Sequence, residues 1–129
     1  MPHTAMNGQG RLSESAENYL KTILLLQHRL GVVRCIDVAS ELGVSKPSVS
    51  IAVKKLRSEG LADMDESRNL VLTPLGLAHA SAVWERHVLL QTFLTDVLQI
   101  DEETAHSDSC RLEHVVSAEM LHKIKELYA

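Results

Sequence analysis

Cysteine is scarce in this chain: Cys35 and Cys110 stand far apart and outside any CxxC motif. That excludes a disulfide-stapled secreted scaffold and suits a reducing compartment. Long apolar runs are missing too. The longest unbroken aliphatic stretch is Ile23-Leu24-Leu25-Leu26, far short of the ~20 residues that a membrane-spanning helix needs. The opening MPHTAMNGQG has no apolar core, so no signal peptide is expected and the expected location is the cytoplasm, with no membrane partner. There is no basic excess either. Lys and Arg number 13 against 17 Asp and Glu, a net charge of −4 with His neutral, which excludes a uniformly basic nucleic-acid binder. No internal repeat, low-complexity segment or phosphate-binding glycine loop is visible.

What the chain does have is unevenly placed. Up to Gly76 it holds 9 basic and 8 acidic side chains, and beyond it 4 and 9, so a +1 front half is joined to a −5 back half. His87, His106 and His114 lie in the acidic half, and carboxylates mixed with histidines suggest a divalent metal. Hydrophobic residues make up 45% of 129, enough for a core without staples.

Hydrophobic spacing and caps predict a mainly helical chain with one hairpin. Residues 1–12 are polar and glycine-containing and read as a disordered tail. From Ser13, the spacing of Tyr19, Ile23, Leu26 and Leu30 predicts a helix that Gly31 stops. A short helix follows from about Ile36 to Leu42, ending at Gly43. Ser45 caps a third, with Pro47 in its first turn, running to about Glu59 before Gly60. Two short apolar runs, Leu61 to Met64 and Leu70 to Leu72, flank the polar tip Asp65 to Asn69 and predict a β-hairpin. Thr73-Pro74 starts a fourth helix that extends as far as Leu98. Asp101, with Glu102 and Glu103, opens a fifth, and Ser117 opens a last one through Leu127.

Two helices joined by the turn Leu42-Gly43-Val44-Ser45, then a hairpin, follow the order of a winged helix-turn-helix. At about 100° per residue, Val49, Ala52, Val53 and Leu56 share a core-facing side of the third helix. Pro47, Ile51, Lys54, Lys55 and Ser58 lie opposite, flanked by Ser48 and Ser50. The candidate DNA-reading residues are Ser45, Lys46, Pro47, Ser48, Ile51, Lys54 and Lys55, with Arg68 at the hairpin tip. Serine and lysine reach phosphates or base edges, and an outward Ile suits a thymine methyl. A lysine cluster is also what an ordinary solvated face looks like, and the winged helix also serves protein–protein assembly. The order of elements and the outward Ile51 carry the DNA reading.

In the acidic half, His106, Cys110, Glu113 and His114 fall within roughly 100° of one helical sector, opposite Leu112, Val115 and Val116. Imidazole, thiol and carboxylate at these spacings suit Fe²⁺, Mn²⁺, Co²⁺, Ni²⁺ or Zn²⁺. Trp84, His87 and Gln91 share a face of the fourth helix, so His87 can converge on the same place. His3, His28, His79 and His122 read as non-ligands. A metal-dependent enzyme is the rival reading, but no separate base or nucleophile motif accompanies the cluster. A redox switch at Cys110 lacks a resolving cysteine.

These motifs together resemble the diphtheria-toxin-repressor and manganese-transport-regulator family of metal-activated repressors, across nearly all of residues 13–128. The marks are Glu17-Asn-Tyr-Leu20, Leu72-Thr-Pro-Leu-Gly76, Arg86-His87 and, most specific, His106-x3-Cys110-x2-Glu113-His114-x2-Ser117. The resemblance implies a winged helix-turn-helix domain at 13–73 and a helical metal-binding and dimerisation domain at 74–129. It implies that Cys110, Glu113 and His114 ligate a main activating ion and His87 and His106 an ancillary one. Asn18 stands where the family has Met or Asp as a first-helix ligand, and its amide oxygen can coordinate. Gln91 stands where iron-responsive members carry Glu, and Lys21 where manganese-responsive members do. Cys110 is the iron-type residue, whereas the length is nearer the manganese type. The implied function is an Fe²⁺- or Mn²⁺-activated homodimeric repressor of metal-homeostasis genes on palindromic operator DNA. The alternatives are a winged-helix regulator with a degenerate metal site and, more distantly, a small metal-dependent enzyme.

Overall fold

A computed structural model of the chain describes residues 11–129. The described chain forms two compact units, the first ending at Ser81 and the second spanning Ala82–Ala129.

In the first unit, α1 (Glu14–Leu30), α2 (Cys35–Leu42) and α3 (Lys46–Ser58) precede β1 (Ala62–Met64) and β2 (Leu70–Leu72). Each boundary has a local cause. The Ser13 hydroxyl accepts the Ala16 N–H at 3.2 Å, and Gly31 ends α1 at φ 84°. Gly43 ends α2 in the left-handed region at φ 67°. The Ser45 hydroxyl accepts the Ser48 N–H at 3.2 Å to start α3, satisfying an amide that helical bonding leaves open. The strands pair antiparallel with Ala62 opposite Leu72 and Met64 opposite Leu70. Leu70 also donates its N–H to the Val33 carbonyl at 2.6 Å, so the segment before α2 joins the hairpin's edge.

The core of this unit gathers Leu20, Ile23 and Leu26 of α1 with Val33, Val38, Val49, Val53, Leu56, Leu61 and Leu70. Full burial of such a side chain contributes about 1.5–3 kcal/mol, so α1 is its main organiser. The expected tail at 1–12 falls, up to residue 10, outside the described residues. Leu12, by contrast, is buried in this core, so packing begins one residue before the Ser13 cap.

The helix α4 (Pro74–Asp96) starts in the first unit and continues into the second, where α5 (Glu102–Leu112) and α6 (Ala118–Glu126) follow. Asp101 and Ser117 accept the N–H groups of Thr104 and Met120 as caps. Leu90, Val116 and Ile124 form a small core supported by Leu89, Phe93, Leu112 and Leu121. Among the described residues no helix is long and apolar enough to cross a membrane.

Two sequence expectations change. The fourth helix ends at Asp96 rather than Leu98, because Gln99 takes the left-handed position (φ 56°) and the Ile100 N–H reaches back to the Leu94 carbonyl at 3.0 Å. The helix thus closes through a left-handed residue that is glutamine rather than the usual glycine. Gln99→Gly is therefore expected to stabilise the fold by up to about 1 kcal/mol, read as a raised urea midpoint; a lowered midpoint would contradict the assigned backbone. The fifth helix also stops early. Glu113 and His114 lie in the turn past Leu112, where His114 and Val115 donate to carbonyls three residues back. That tightening swings Val115 out to 64% exposure instead of into the core.

Candidate metal centre and DNA-reading surface

On α4, residues Trp84, His87 and Gln91 stack along one side. On α5, His106 and Cys110 are one turn apart, and the turn after the helix brings in Glu113 and His114. Arg86 fixes that turn by donating Nε–H to the Glu113 carbonyl at 2.8 Å. The result is a cluster of donors from both elements. Cys110 Sγ lies 3.6 Å from His106 Nε2 and 4.0 Å from His87 Nδ1. His87 Nδ1 meets Glu113 Oε1 at 2.7 Å, and its Nε2 meets Gln91 Oε1 at 2.9 Å. The second carboxylate oxygen of Glu113 lies 3.3 Å from His114 Nε2.

Burial grades across this cluster. Glu113, His87 and His114 are 0%, 1% and 6% exposed, Cys110 is half-buried and His106 is exposed. Trp84 stacks flat on His87 with ring centroids 5.2 Å apart, and His106 meets it edge-on at 5.0 Å. The imidazole is thus gripped from both sides, with an open rim at His106. Asp101, which caps α5, has its carboxyl held below the ordinary range by hydrogen bonds from the Thr104 side chain and amide.

The donor set suits a transition metal. Ligand atoms of His87, His106 and Cys110 all lie within 4.8 Å of one another. Four-coordinate metal–nitrogen and metal–sulfur bonds of about 2.0–2.3 Å put neighbouring donors roughly 3.3–3.8 Å apart, so little movement separates the observed spacing from a ligating one. The His87–Glu113 contact is shorter than that, as a hydrogen bond is; ligation at both atoms would replace the proton between them.

In the first unit, the residues expected to read DNA are all exposed: Ser45, Lys46, Pro47, Ser48, Ile51, Lys54, Lys55 and Arg68. Ile51 is 71% exposed beside buried Val49 and Val53. Ser45 and Ser48 pair their hydroxyls at 2.8 Å and so also serve the helix cap. Lys46, Ser50, Lys54, Arg57, Arg68 and Arg34 line one groove of about 560 Å³ between α3 and the hairpin. Lys55 faces elsewhere, towards a crevice with Ser13, Tyr19 and Glu59. At the hairpin tip Asp65 accepts the amides of Ser67 and Asn69 at 2.9 Å each, which shapes a turn that seats Arg68 at φ 64°. The Asn69 amide is the main cause holding the Asp65 carboxyl below its usual range.

Two family models divide the chain between them. The iron-dependent repressor N-terminal DNA-binding domain matches residues 11–70, and the iron-dependent repressor metal-binding and dimerisation domain matches residues 73–129. An HTH-type transcriptional regulator of Methanocaldococcus jannaschii is 30% identical over 115 residues, covering 88% of this chain and 92% of the relative. The chain belongs to the iron-dependent repressor family.

Within that family, the diphtheria toxin repressor of Corynebacterium efficiens is 35% identical over 116 residues, covering 90% of this chain and 50% of the relative. The solved structure of a manganese-dependent transcriptional repressor complexed with manganese superposes with a TM-score of 0.80 at 33% identity, over 86% of this chain and 51% of that one. The chain thus spans about half the length of the diphtheria toxin repressor it matches.

Of the expected ligands, the structure brings His87, His106, Cys110, Glu113 and His114 together, and it joins His87 to Glu113 where the resemblance puts them in separate sites. Asn18 lies on α1 in the first unit, half-buried. Arg34 and Arg57, which the sequence did not single out as DNA-reading residues, line the same groove. Arg34 precedes α2 and donates to the Ser67 carbonyl at 2.6 Å, a partner 33 residues away that no local pattern announces. Arg57 pairs with Asp63 of β1 at 3.3 Å and lines the groove beside Lys54.

Proposed function

We propose that the chain is a metal-activated, DNA-binding transcriptional repressor responding to Fe²⁺ or Mn²⁺ and acting in the cytoplasm on metal-homeostasis genes. The observation that carries this reading is the convergence of His87, His106, Cys110 and Glu113 from α4 and the end of α5, in a chain whose other unit presents an outward Ile51 among lysines. When bound, a divalent ion supplies positive charge between the Cys110 thiolate and the Glu113 carboxylate and ties the two elements together. Two imidazoles and a thiolate rank iron above manganese on ligand softness and the usual affinity order; Zn²⁺, Co²⁺ and Ni²⁺ are expected to bind in vitro.

The second unit is proposed as the homodimer platform. Trp84, Val88, Leu89 and Tyr128 line an apolar patch on it that suits such pairing. A dimer carries two copies of α3, which suits a palindromic site with half-sites about one helical turn apart. On the DNA side, the groove cations contact phosphate while Ile51 and Pro47 face base edges. Metal and DNA binding are then linked reciprocally, each tightening the other by the same factor.

Palindromic operator DNA is expected to be retarded on a gel only when Fe²⁺ or Mn²⁺ is present, and chelator should release it. Affinity unchanged by chelator would remove the metal switch while leaving DNA binding intact. Metal-dependent turnover without any DNA shift would instead favour an enzyme.

A further inference from the structure

Gln91 has a role that the ligand count alone does not explain. It sits one turn beyond His87 on α4, and its amide oxygen lies 2.9 Å from His87 Nε2. The opposite ring nitrogen, Nδ1, faces Cys110 Sγ at 4.0 Å and Glu113 Oε1 at 2.7 Å. The ring is 1% exposed, with Trp84 stacked on one face and His106 edge-on, and the Gln91 amide oxygen is the partner of Nε2. Ligation through Nδ1 would leave the ring proton on Nε2, where the Gln91 oxygen accepts it. A neutral amide oxygen is a good acceptor for an N–H but a poor anchor for an ion of its own.

We propose that Gln91 is a positioning residue that makes this cluster a single mononuclear centre, in which His87 ligates through Nδ1 together with His106, Cys110 and Glu113. The proposal rests on the metal-binding reading above and deepens it. Orientation of a ligating imidazole by a hydrogen bond at its other nitrogen fixes the tautomer and raises its basicity. The same bond occupies the Nε2 side of the ring, which would otherwise be the natural seat of a second ion.

The test is anaerobic titration of Co²⁺ into the chain, followed by absorbance and calorimetry. The expected result is one equivalent per chain, with a thiolate-to-cobalt charge-transfer band that Cys110→Ser removes. Gln91→Met keeps the volume but removes the acceptor, and is expected to weaken binding about 10- to 100-fold, the usual cost of losing an outer hydrogen-bond partner, with the band retained. Gln91→Glu, which retains an acceptor, should restore the affinity for the first equivalent. Long-range ¹⁵N–¹H correlation of the Zn²⁺-loaded chain should place the His87 proton on Nε2 and the metal on Nδ1, a readout that a merely structural glutamine would not set. Two equivalents in the wild type, wild-type affinity in Gln91→Met, or a proton on Nδ1 would overturn the proposal. No Co²⁺ binding at any ratio would overturn the metal-binding reading beneath it.

Discussion

Glu113→Gln is expected to abolish metal-dependent DNA retention while leaving the chain folded. Glu113 is fully buried, and its two oxygens are shared between His87 at 2.7 Å and His114 at 3.3 Å. The amide has the same shape, so packing is kept and only the anionic donor is lost. Removal of a proposed ligand should cost more than the ~10- to 100-fold that an outer partner costs. Glu113→Ala is a harsher probe, because truncating one member of a buried pair typically costs about 3–5 kcal/mol in stability, which would confuse loss of metal with loss of fold. His114→Ala is expected to lose the metal response through the other oxygen of the same carboxylate. The direct measurement is anaerobic calorimetry of Mn²⁺ and Fe²⁺ binding, paired with thermal melts. At 100 times its dissociation constant, an ion that binds only the folded chain stabilises it by about 2.7 kcal/mol. The wild-type melting temperature should therefore rise with metal and that of Glu113→Gln should not. Unchanged titrations in both Glu113→Gln and His114→Ala would remove the assignment of this centre.

The parts of this molecule that were legible in sequence are those whose cause is local. Ser13, Ser45, Asp101 and Ser117 each cap a helix with a side chain that bonds an amide three residues on, and Gly31 and Gly43 end helices at positive φ. The core face of α3 was equally readable, because Val49, Val53 and Leu56 recur at helical spacing and all are buried. The end of α4 was not, since glutamine rather than glycine occupies the closing position. Within α4, His87 takes a place on the buried stripe of Ala80, Val83, Leu90 and Leu94, while Trp84 and Val88 are exposed. A buried histidine held by Glu113 and Gln91 marks the proposed site, and exposed large apolar residues mark a face that suits a partner. Periodicity finds that stripe but gives no reason for a histidine on it. The sector of expected ligands on α5 was legible in sequence, but the turn that brings Glu113 onto His87 depends on packing between α4 and the residues after Leu112. Arg34 needed the fold outright, because only tertiary structure brings it to Ser67.

Gly76→Ala is expected to destabilise the chain by about 3 kcal/mol or more, the upper end of the cost of overfilling a packed site. Gly76 is buried in the first turn of α4, where an added Cβ would run into the backbone carbonyl of Leu61. No rotamer relieves a Cβ clash with backbone, so α4 would have to lift away from the end of α3. That movement breaks a compact set of bonds. Thr73 donates its hydroxyl to the Gly60 carbonyl at 2.6 Å and its N–H to Leu61 at 3.2 Å, while its Oγ1 accepts the Gly76 N–H at 3.0 Å. Leu61 itself is 1% exposed and belongs to the first unit's core, so the strain is not confined to the surface. β2 runs into Thr73, and α3 ends just before Gly60, so the same contact sets the hairpin against the helix proposed to read DNA. The expected fall in melting temperature is on the order of 10 °C, with faster hydrogen exchange at Leu61, Thr73 and Gly76. A melting temperature within a degree of the wild type would mean that α4 does not press on Leu61 as closely as the structure places it, and the wing would then need another anchor.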